Sequence, residues 1–146
     1  MVEPLIRVAV PADLDALRDL FRRSSLSNED DRASLLAHPE ALVFSGLAVD
    51  EGRTTVAVAD GRIVGFATLL ADGELEDLFV DPDWMRRGIG RALVLDSVAA
   101  ARAQGLERIE VTANGQALPF YESVGFVLDG SVETAFGRGS RMHRDC

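Results

Sequence analysis

One stretch, residues 74–93, constrains the fold more strongly than any other part of the chain. Apolar and strand-forming residues occupy most of positions 75–80, and Pro82 ends the predicted strand because proline cannot donate to a ladder. After a short exposed turn, an apolar run from residue 89 to residue 99 is long enough for a helix. The stretch therefore predicts a strand, a loop, a Gly-x-Gly sequence and a helix, in that order.

Two glycines, Gly88 and Gly90, stand where this helix would begin. The first turn of a helix presents unpaired N–H groups and a partial positive charge, and glycine lets a phosphate come close to them. Arg86, Arg87 and Arg91 add three cations within six residues of a chain whose formal net charge is -9. This local reversal of sign predicts that an anionic group binds here.

Strand and helix patterns continue through the rest of the chain, without an internal repeat or a linker. The strand patterns occupy residues 5–10, 52–59, 62–70, 108–112, 126–128 and 135–143. The helical patterns begin at Pro11, cover 32–37 and 117–123, and run from Ile89 to a terminating Gly105. Asp60-Gly61 predicts a tight hairpin, and residues 130–133 are predicted to join the last two strands.

Length and composition predict one domain over residues 1–146, since 47% hydrophobic and 27% charged residues are typical of a soluble globular protein. The first residues lack the pattern of a signal peptide, and no apolar run reaches the roughly 18 residues of a membrane helix. We therefore expect a cytoplasmic protein without a membrane partner. The single cysteine, Cys146, excludes an internal disulfide and a multi-cysteine metal site, and no metal is predicted.

Several motifs in a fixed order carry a family resemblance. They are Asp-Pro-x-x-x-Arg-Arg-Gly-Ile-Gly-Arg-Ala-Leu over 81–93, a Leu-Phe-Val strand before it, Asn114, Phe-Tyr-Glu at 120–122 and Gly-Phe at 125–126. The combination resembles the acetyl-CoA signature of the GCN5-related N-acetyltransferase (GNAT) family. The resemblance implies a mixed α/β fold, with a central, mostly antiparallel sheet flanked by about four helices. It also implies an acetyl-CoA-dependent N-acetyltransferase that transfers the acetyl group directly to a primary amine in a ternary complex.

The resemblance assigns the binding of acetyl-CoA to two segments. In the family the Gly-rich loop holds the pyrophosphate, and the matching positions are Arg86, Arg87, Gly88, Ile89, Gly90 and Arg91. Free backbone groups of the preceding strand pair with the pantetheine arm, and the matching positions are Leu78, Phe79 and Val80.

Two single residues complete the implied site. Asn114 would hydrogen-bond the pantetheine, and its alternative role is that of a turn residue. Tyr121 would lie near the thioester sulfur and protonate the departing thiolate. The alternative for Tyr121 is an aromatic side chain that packs the short helix on the sheet.

The general base is open to several candidates. An alkylamine with a pKa of about 10.4 is mostly protonated at neutral pH, so a carboxylate must remove a proton before attack. Glu74 and Glu76 alternate onto one face of the predicted strand, and Glu110 lies on the following strand. We favour Glu76 because it lies nearer the expected opening, with a solvated strand residue as the alternative. Asp77 is expected to face the other way.

The amine acceptor is not readable from the sequence. A small-molecule amine, a peptide N-terminus and a lysine side chain all remain open. The family admits the acceptor between segments that match 24–32 and 130–139, where Glu29, Asp30 and Asp31 would offer negative charge. No nucleic acid is expected as a partner. A homodimer, common in the family, is not indicated by this sequence.

Two other classes of protein share parts of the pattern. A nucleotide-binding oxidoreductase domain would explain Gly88, Gly90 and an acid at Glu110, but Leu93 replaces its third glycine. Its tight strand-to-helix turn is also shorter than the present loop. A non-catalytic acyl-CoA sensor of the same fold is the second alternative, and the presence of Tyr121 argues against it.

Overall fold

The computed structural model describes residues 4–27, 29–134 and 137–146, and within them the chain forms seven strands and five α-helices. The strands are β1 (Leu5–Val8), β2 (Thr54–Ala59), β3 (Arg62–Leu69), β4 (Leu75–Val80), β5 (Arg108–Ala113), β6 (Val127–Thr134) and β7 (Gly137–Asp145). The helices are α1 (Leu14–Leu26), α2 (Glu29–Ala37), α3 (Leu47–Asp50), α4 (Ile89–Ala103) and α5 (Leu118–Ser123).

The strands form two antiparallel sheets that meet at one point. The first sheet has the order β1-β2-β3-β4, and the second has the order β5-β7-β6. Among the described residues, a single parallel bridge between Glu74 and Glu110 links the sheets, and the Glu110 N–H donates to the Gly73 carbonyl at 2.9 Å. Beyond that bridge β4 and β5 form no ladder, so the edge of each strand faces an opening between them.

Helices cover both faces of the first sheet. On one face α4 buries Leu93, Val94 and Val98 in the larger core cluster, and on the other α1 buries Leu17 and Leu20. Burial of such side chains is worth about 1.5–3 kcal/mol each, so these two faces fix where β4 and the start of α4 lie. No helix among the described residues is long and apolar enough to cross a membrane.

Close contact between α4 and the sheet depends on Gly65 of β3. A Cβ at this position would lie 2.9 Å from the Cγ2 atom of Ile89 and 3.0 Å from the Phe79 carbonyl oxygen. The absence of a side chain therefore lets the first turn of α4 pack directly over β3 and β4. This packing keeps the N-terminus of α4 beside the end of β4.

The structure confirms the predicted mixed α/β class and its mostly antiparallel strands, with five helices in place of about four. The prediction that residues 130–133 form a connection is wrong, because they pair with β7 as part of β6. Gly130 and Ser131 favour turns locally, but the ladder with β7 overrides that preference. The short helix α3 was not predicted. Ala135, the predicted start of the last strand, lies outside the described residues.

Candidate functional site

The open edge of β4 is the first wall of the site. The Asp81 N–H donates to the Val64 carbonyl at 2.8 Å, so the antiparallel alternation directs the backbone groups of Phe79 towards β3. The N–H and C=O groups of Leu78 and Val80 then point into the opening. Consistently, the Val80 carbonyl accepts from the Ser24 hydroxyl of α1 at 3.2 Å. The prediction of a free backbone is therefore corrected for Phe79, whose ring also packs with Phe21 and Phe66.

The edge of β5 forms the opposite wall. Because the Glu110 N–H points at Gly73, the same alternation directs the backbone of Thr112 towards β4. Asn114 follows this strand, and its side-chain oxygen accepts from the Ala117 N–H at 2.8 Å. The side-chain oxygen of Asn114 therefore stabilises the turn that leads into α5, and this contact does not involve its side-chain N–H groups.

The N-terminus of α4 lies at the end of the Gly-rich loop. Helix α4 begins at Ile89, as predicted, and its N-cap Gly88 has a φ of 80° and no capping side chain. The Ala92 N–H is bonded to the Gly88 carbonyl at 3.0 Å, so the N–H groups of Ile89, Gly90 and Arg91 precede the helical hydrogen-bond pattern. They remain available as donors to an anion.

The fold requires glycine at Gly88 and at Gly90 for different structural reasons. A Cβ on Gly88 would meet nothing within 4 Å, so this position is open to an approaching group. A Cβ on Gly90 would lie 3.0 Å from the Phe120 ring. Gly88 therefore keeps the approach to the helix open in a left-handed conformation, whereas Gly90 lets α5 pack against α4.

The loop arginines give this end of the opening a positive charge. Arg86, Arg87 and Arg91 are exposed or partly exposed, and none of them forms an ion pair within the part of the chain that the structure describes. The Arg87 guanidinium stacks on Trp84 at 4.7 Å from the ring centroid. Cations without ion-pair partners among the described residues, beside free helix N–H groups, give this end of the opening a positive potential that favours an anion.

Tyr121 is buried in α5, with 7% of its surface exposed. Its ring makes edge contacts with Phe120 and Phe126, with centroids 5.3 and 5.1 Å apart. Burial, and then the negative charge of Asp77, raise the pKa of the Tyr121 phenol well above its usual range. The phenol is therefore protonated throughout the physiological pH range.

A β-bulge in β4 changes the direction of two carboxylates. Thr68 pairs with Asp77 and Leu69 with Leu75, which leaves Glu76 as the extra residue. Glu76 and Asp77 both line a cavity of about 320 Å³, so the expectation that Asp77 faces away is wrong. Burial raises the pKa of Asp77 to about 6, while a Thr68 hydrogen bond lowers it and Glu76 raises it. Sequence alternation missed Asp77 because the sequence does not reveal the bulge.

The other two candidate bases are engaged elsewhere. The Arg141 guanidinium donates to both carboxylate oxygens of Glu74, at 2.6 and 2.8 Å, and to Glu110 at 3.2 Å. It also donates to the Thr112 hydroxyl at 3.1 Å. Glu74 and Glu110 therefore belong to an ion-pair network at the junction of the two sheets, and neither lines the cavity beside the bulge.

The cavity lies apart from the predicted acceptor segments. No described residue of 24–32 or 130–139 lines it, whereas residues 43–48 contribute a continuous part of its wall. The side chains of Glu29 and Asp30 lie outside the described part of the chain. No group of three or more His, Cys, Asp or Glu side chains that could hold a metal occurs among the described residues.

The comparison with known proteins identifies the class of protein that this fold and site define. The family model described as "Acetyltransferase (GNAT) domain" matches residues 43–143. The chain therefore belongs to the GNAT acetyltransferase family, which excludes the oxidoreductase alternative.

Individual relatives agree with this assignment. A glucosamine 6-phosphate N-acetyltransferase of Trypanosoma brucei brucei is 37% identical over 76 residues, which are 45% of this chain. The chain spans about half of that relative, 52% of its length. A GCN5-related N-acetyltransferase from Rhodopseudomonas palustris, also described as an aminotransferase of class II, matches with a TM-score of 0.80 and 25% identity. That match covers 100% of this chain and 99% of the other.

A further solved structure supports the fold alone. It is a PaiA N-acetyltransferase from Thermoplasma acidophilum in complex with coenzyme A, with a TM-score of 0.74 and 20% identity. The match covers 98% of this chain and 99% of that one.

Proposed function

We propose that this protein is an acetyl-CoA-dependent N-acetyltransferase that transfers acetyl directly to a primary amine in a ternary complex. The observation that carries the proposal is the opening between β4 and β5. It presents backbone groups of Leu78 and Val80 that take no part in the ladder with β3, and uncapped N–H groups lie at the nearby start of α4. An extended arm with amide groups fits the first feature, and a diphosphate fits the second.

Two sets of residues would hold acetyl-CoA, which supplies an acetyl group activated as a thioester. The N–H groups of the loop bind the diphosphate, with charge support from its arginines: Arg86, Arg87, Gly88, Ile89, Gly90 and Arg91. Leu78 and Val80 pair with the amides of the pantetheine arm, and Asn114 hydrogen-bonds the same arm. Membership of the GNAT acetyltransferase family supports this choice of co-substrate.

Two side chains carry the proton transfers in our proposal. Glu76 takes a proton from the ammonium of the acceptor, since it lines the cavity and accepts no hydrogen bond among the described residues. The Leu78 N–H donates to the carbonyl oxygen as negative charge develops there. Tyr121 protonates the leaving sulfur, and burial together with the negative charge of Asp77 raises the pKa of the phenol and keeps it protonated beforehand.

The proposal is tested by measuring free thiol released from acetyl-CoA with a broad panel of primary amines. Tyr121→Phe keeps the ring contacts with Phe120 and Phe126 but removes the acid, so we expect kcat to fall about 10²-fold or more with little change in acetyl-CoA binding. Glu76→Gln should lower kcat/KM by a similar factor.

The outcomes separate the function from the residue roles. A folded protein that binds acetyl-CoA but releases no thiol with any amine would be the non-catalytic sensor. Full activity of Tyr121→Phe would remove the acid role while leaving the acetyltransferase function intact.

A further inference from the structure

The cavity beside the β4 bulge has an acidic side. Glu51, Glu76 and Asp77 line it, and no arginine, lysine or histidine is among its described lining residues. Glu51 meets the guanidinium of Arg53 at 3.1 Å, but that arginine does not line this cavity. A ligand with a carboxylate or phosphate would therefore bring its negative charge next to three carboxylates. No cation among the described lining residues would offset that charge.

The remaining wall of the cavity is mostly aromatic and aliphatic. Phe21 and Phe44 line it with ring centroids 5.7 Å apart, and they continue into a cluster with Phe66 and Phe79. Such rings bury apolar groups and attract cations to their faces. Among the described residues of this wall, Ser45 alone carries a hydroxyl, so the wall offers little to match the several hydroxyls of a sugar.

The lip of the cavity is apolar although it is exposed to solvent. Leu47 and Val43 are 72% and 69% exposed, the highest values among the large apolar side chains of the described residues. Gly46, between them, has a φ of 73°, and a Cβ there would lie 2.5 Å from the Leu14 Cδ2 atom of α1. The lip is thus held against α1, and its exposed apolar surface is typical of a binding site.

We infer that the acceptor is a small primary amine with an apolar body and no anionic group, such as an arylalkylamine. This inference rests on the proposed function and defines its acceptor. The ammonium lies towards Glu76 and Asp77, and the apolar body lies against Phe21, Phe44 and the Val43–Leu47 lip. The volume of about 320 Å³ is at the small end of ligand cavities, which fits a compact amine. Amines with a carboxylate or phosphate are rejected by charge.

The test compares three amines that share one body: phenethylamine, phenylalanine amide and phenylalanine. Thiol release from acetyl-CoA gives kcat/KM for each. We expect kcat/KM for phenethylamine and for phenylalanine amide to exceed that for phenylalanine by about tenfold or more, because only phenylalanine carries a carboxylate. Glucosamine and glucosamine 6-phosphate form a second pair, and both should be poor acceptors.

The acidic side is tested by Glu51→Gln, with Asp15→Asn as a control that removes the same charge from a fully exposed position of α1. Glu51→Gln should reduce the ratio of kcat/KM for phenethylamine to kcat/KM for phenylalanine severalfold. Asp15→Asn should leave that ratio unchanged. Equal or better use of phenylalanine or glucosamine 6-phosphate would overturn the inference while leaving the acetyltransferase function intact. The absence of thiol release with every amine would instead reject the proposed function.

Discussion

Asp77 is an acidic residue whose pKa depends on whether the chain is folded. Its carboxyl group is partly buried at the bulge, and its pKa is about 6 in the folded protein against about 3.9 in an unfolded chain. The folded protein therefore binds this proton more tightly than the unfolded chain. It follows that the free energy of unfolding decreases as the pH rises through this interval.

The Asp77→Asn variant removes this pH dependence of stability, and the size and shape of the side chain hardly change. At pH 7.5 the variant should be more stable than the parent by up to the order of 3 kcal/mol, since each pKa unit corresponds to about 1.4 kcal/mol. The gain should disappear below about pH 4, where Asp77 is protonated in both states. Urea unfolding of the variant and the parent, at pH 7.5 and below about pH 4, measures this difference in the free energy of unfolding. Asp15→Asn, at a fully exposed position, should give no such gain. A variant less stable than the parent at pH 7.5 would contradict the burial argument.

Arg141 of β7 joins strands of both sheets. Its guanidinium contacts Glu74 before β4 and Glu110 on β5, next to the one bridge between the sheets. Without it, Glu74 and Glu110 would face each other across that bridge, and the nearest remaining cation would be Arg108, at 3.9 Å from Glu110. The network therefore fixes where the opening between β4 and β5 begins.

Arg141→Met should lower the free energy of unfolding by about 2 kcal/mol, because hydrogen bonds to partly buried charged groups are lost. The KM for acetyl-CoA should rise in the same variant, since the strands are less firmly joined. Thermal unfolding and steady-state kinetics measure the two effects. Arg138→Met is the matched control, because its pair with Glu133 is 71% and 74% exposed and should contribute little. Equal effects of the two variants would show that the network does not hold the junction.

At the level of elements, local sequence signals predicted turns and helix starts well, whereas features set by long-range pairing could not be predicted. The Asp60-Gly61 hairpin was readable because both residues favour the left-handed turn that they adopt, with φ values of 51° and 72°. The start of α4 was readable from its glycines. The bulge at Glu76 could not be read from the sequence, because the pairing register between β4 and β3 determines where it lies. The contact of Arg141 with Glu74 spans 67 positions of sequence, and no local pattern indicates it.

Across the whole molecule, charge is distributed in opposite senses at the two parts of the site. The chain carries a formal net charge of -9, and carboxylates line the cavity at the bulge. The loop before α4 and the first turn of α4 instead present Arg86, Arg87 and Arg91, without ion-pair partners among the described residues. Under the proposed function, this separation favours an anionic co-substrate at the start of α4 and a cationic acceptor at the cavity beside the bulge. The sequence revealed the arginine cluster, but only the fold brought Glu51 to the same cavity as Glu76 and Asp77.

This distribution predicts how salt affects the binding of coenzyme A. An exposed arginine that faces a phosphate contributes on the order of 1 kcal/mol, so Arg91→Gln should raise the Kd of coenzyme A about threefold to tenfold. Arg102→Gln is the matched control, since it removes the same charge near the other end of α4, about 16 Å away along the helix axis. That distance exceeds the Debye length of about 8 Å at physiological ionic strength, so the control should have little effect. Titration calorimetry from 50 to about 500 mM salt should also show a shallower salt dependence for Arg91→Gln than for Arg102→Gln. Identical Kd values and slopes for the two variants would mean that the phosphates do not bind at the start of α4.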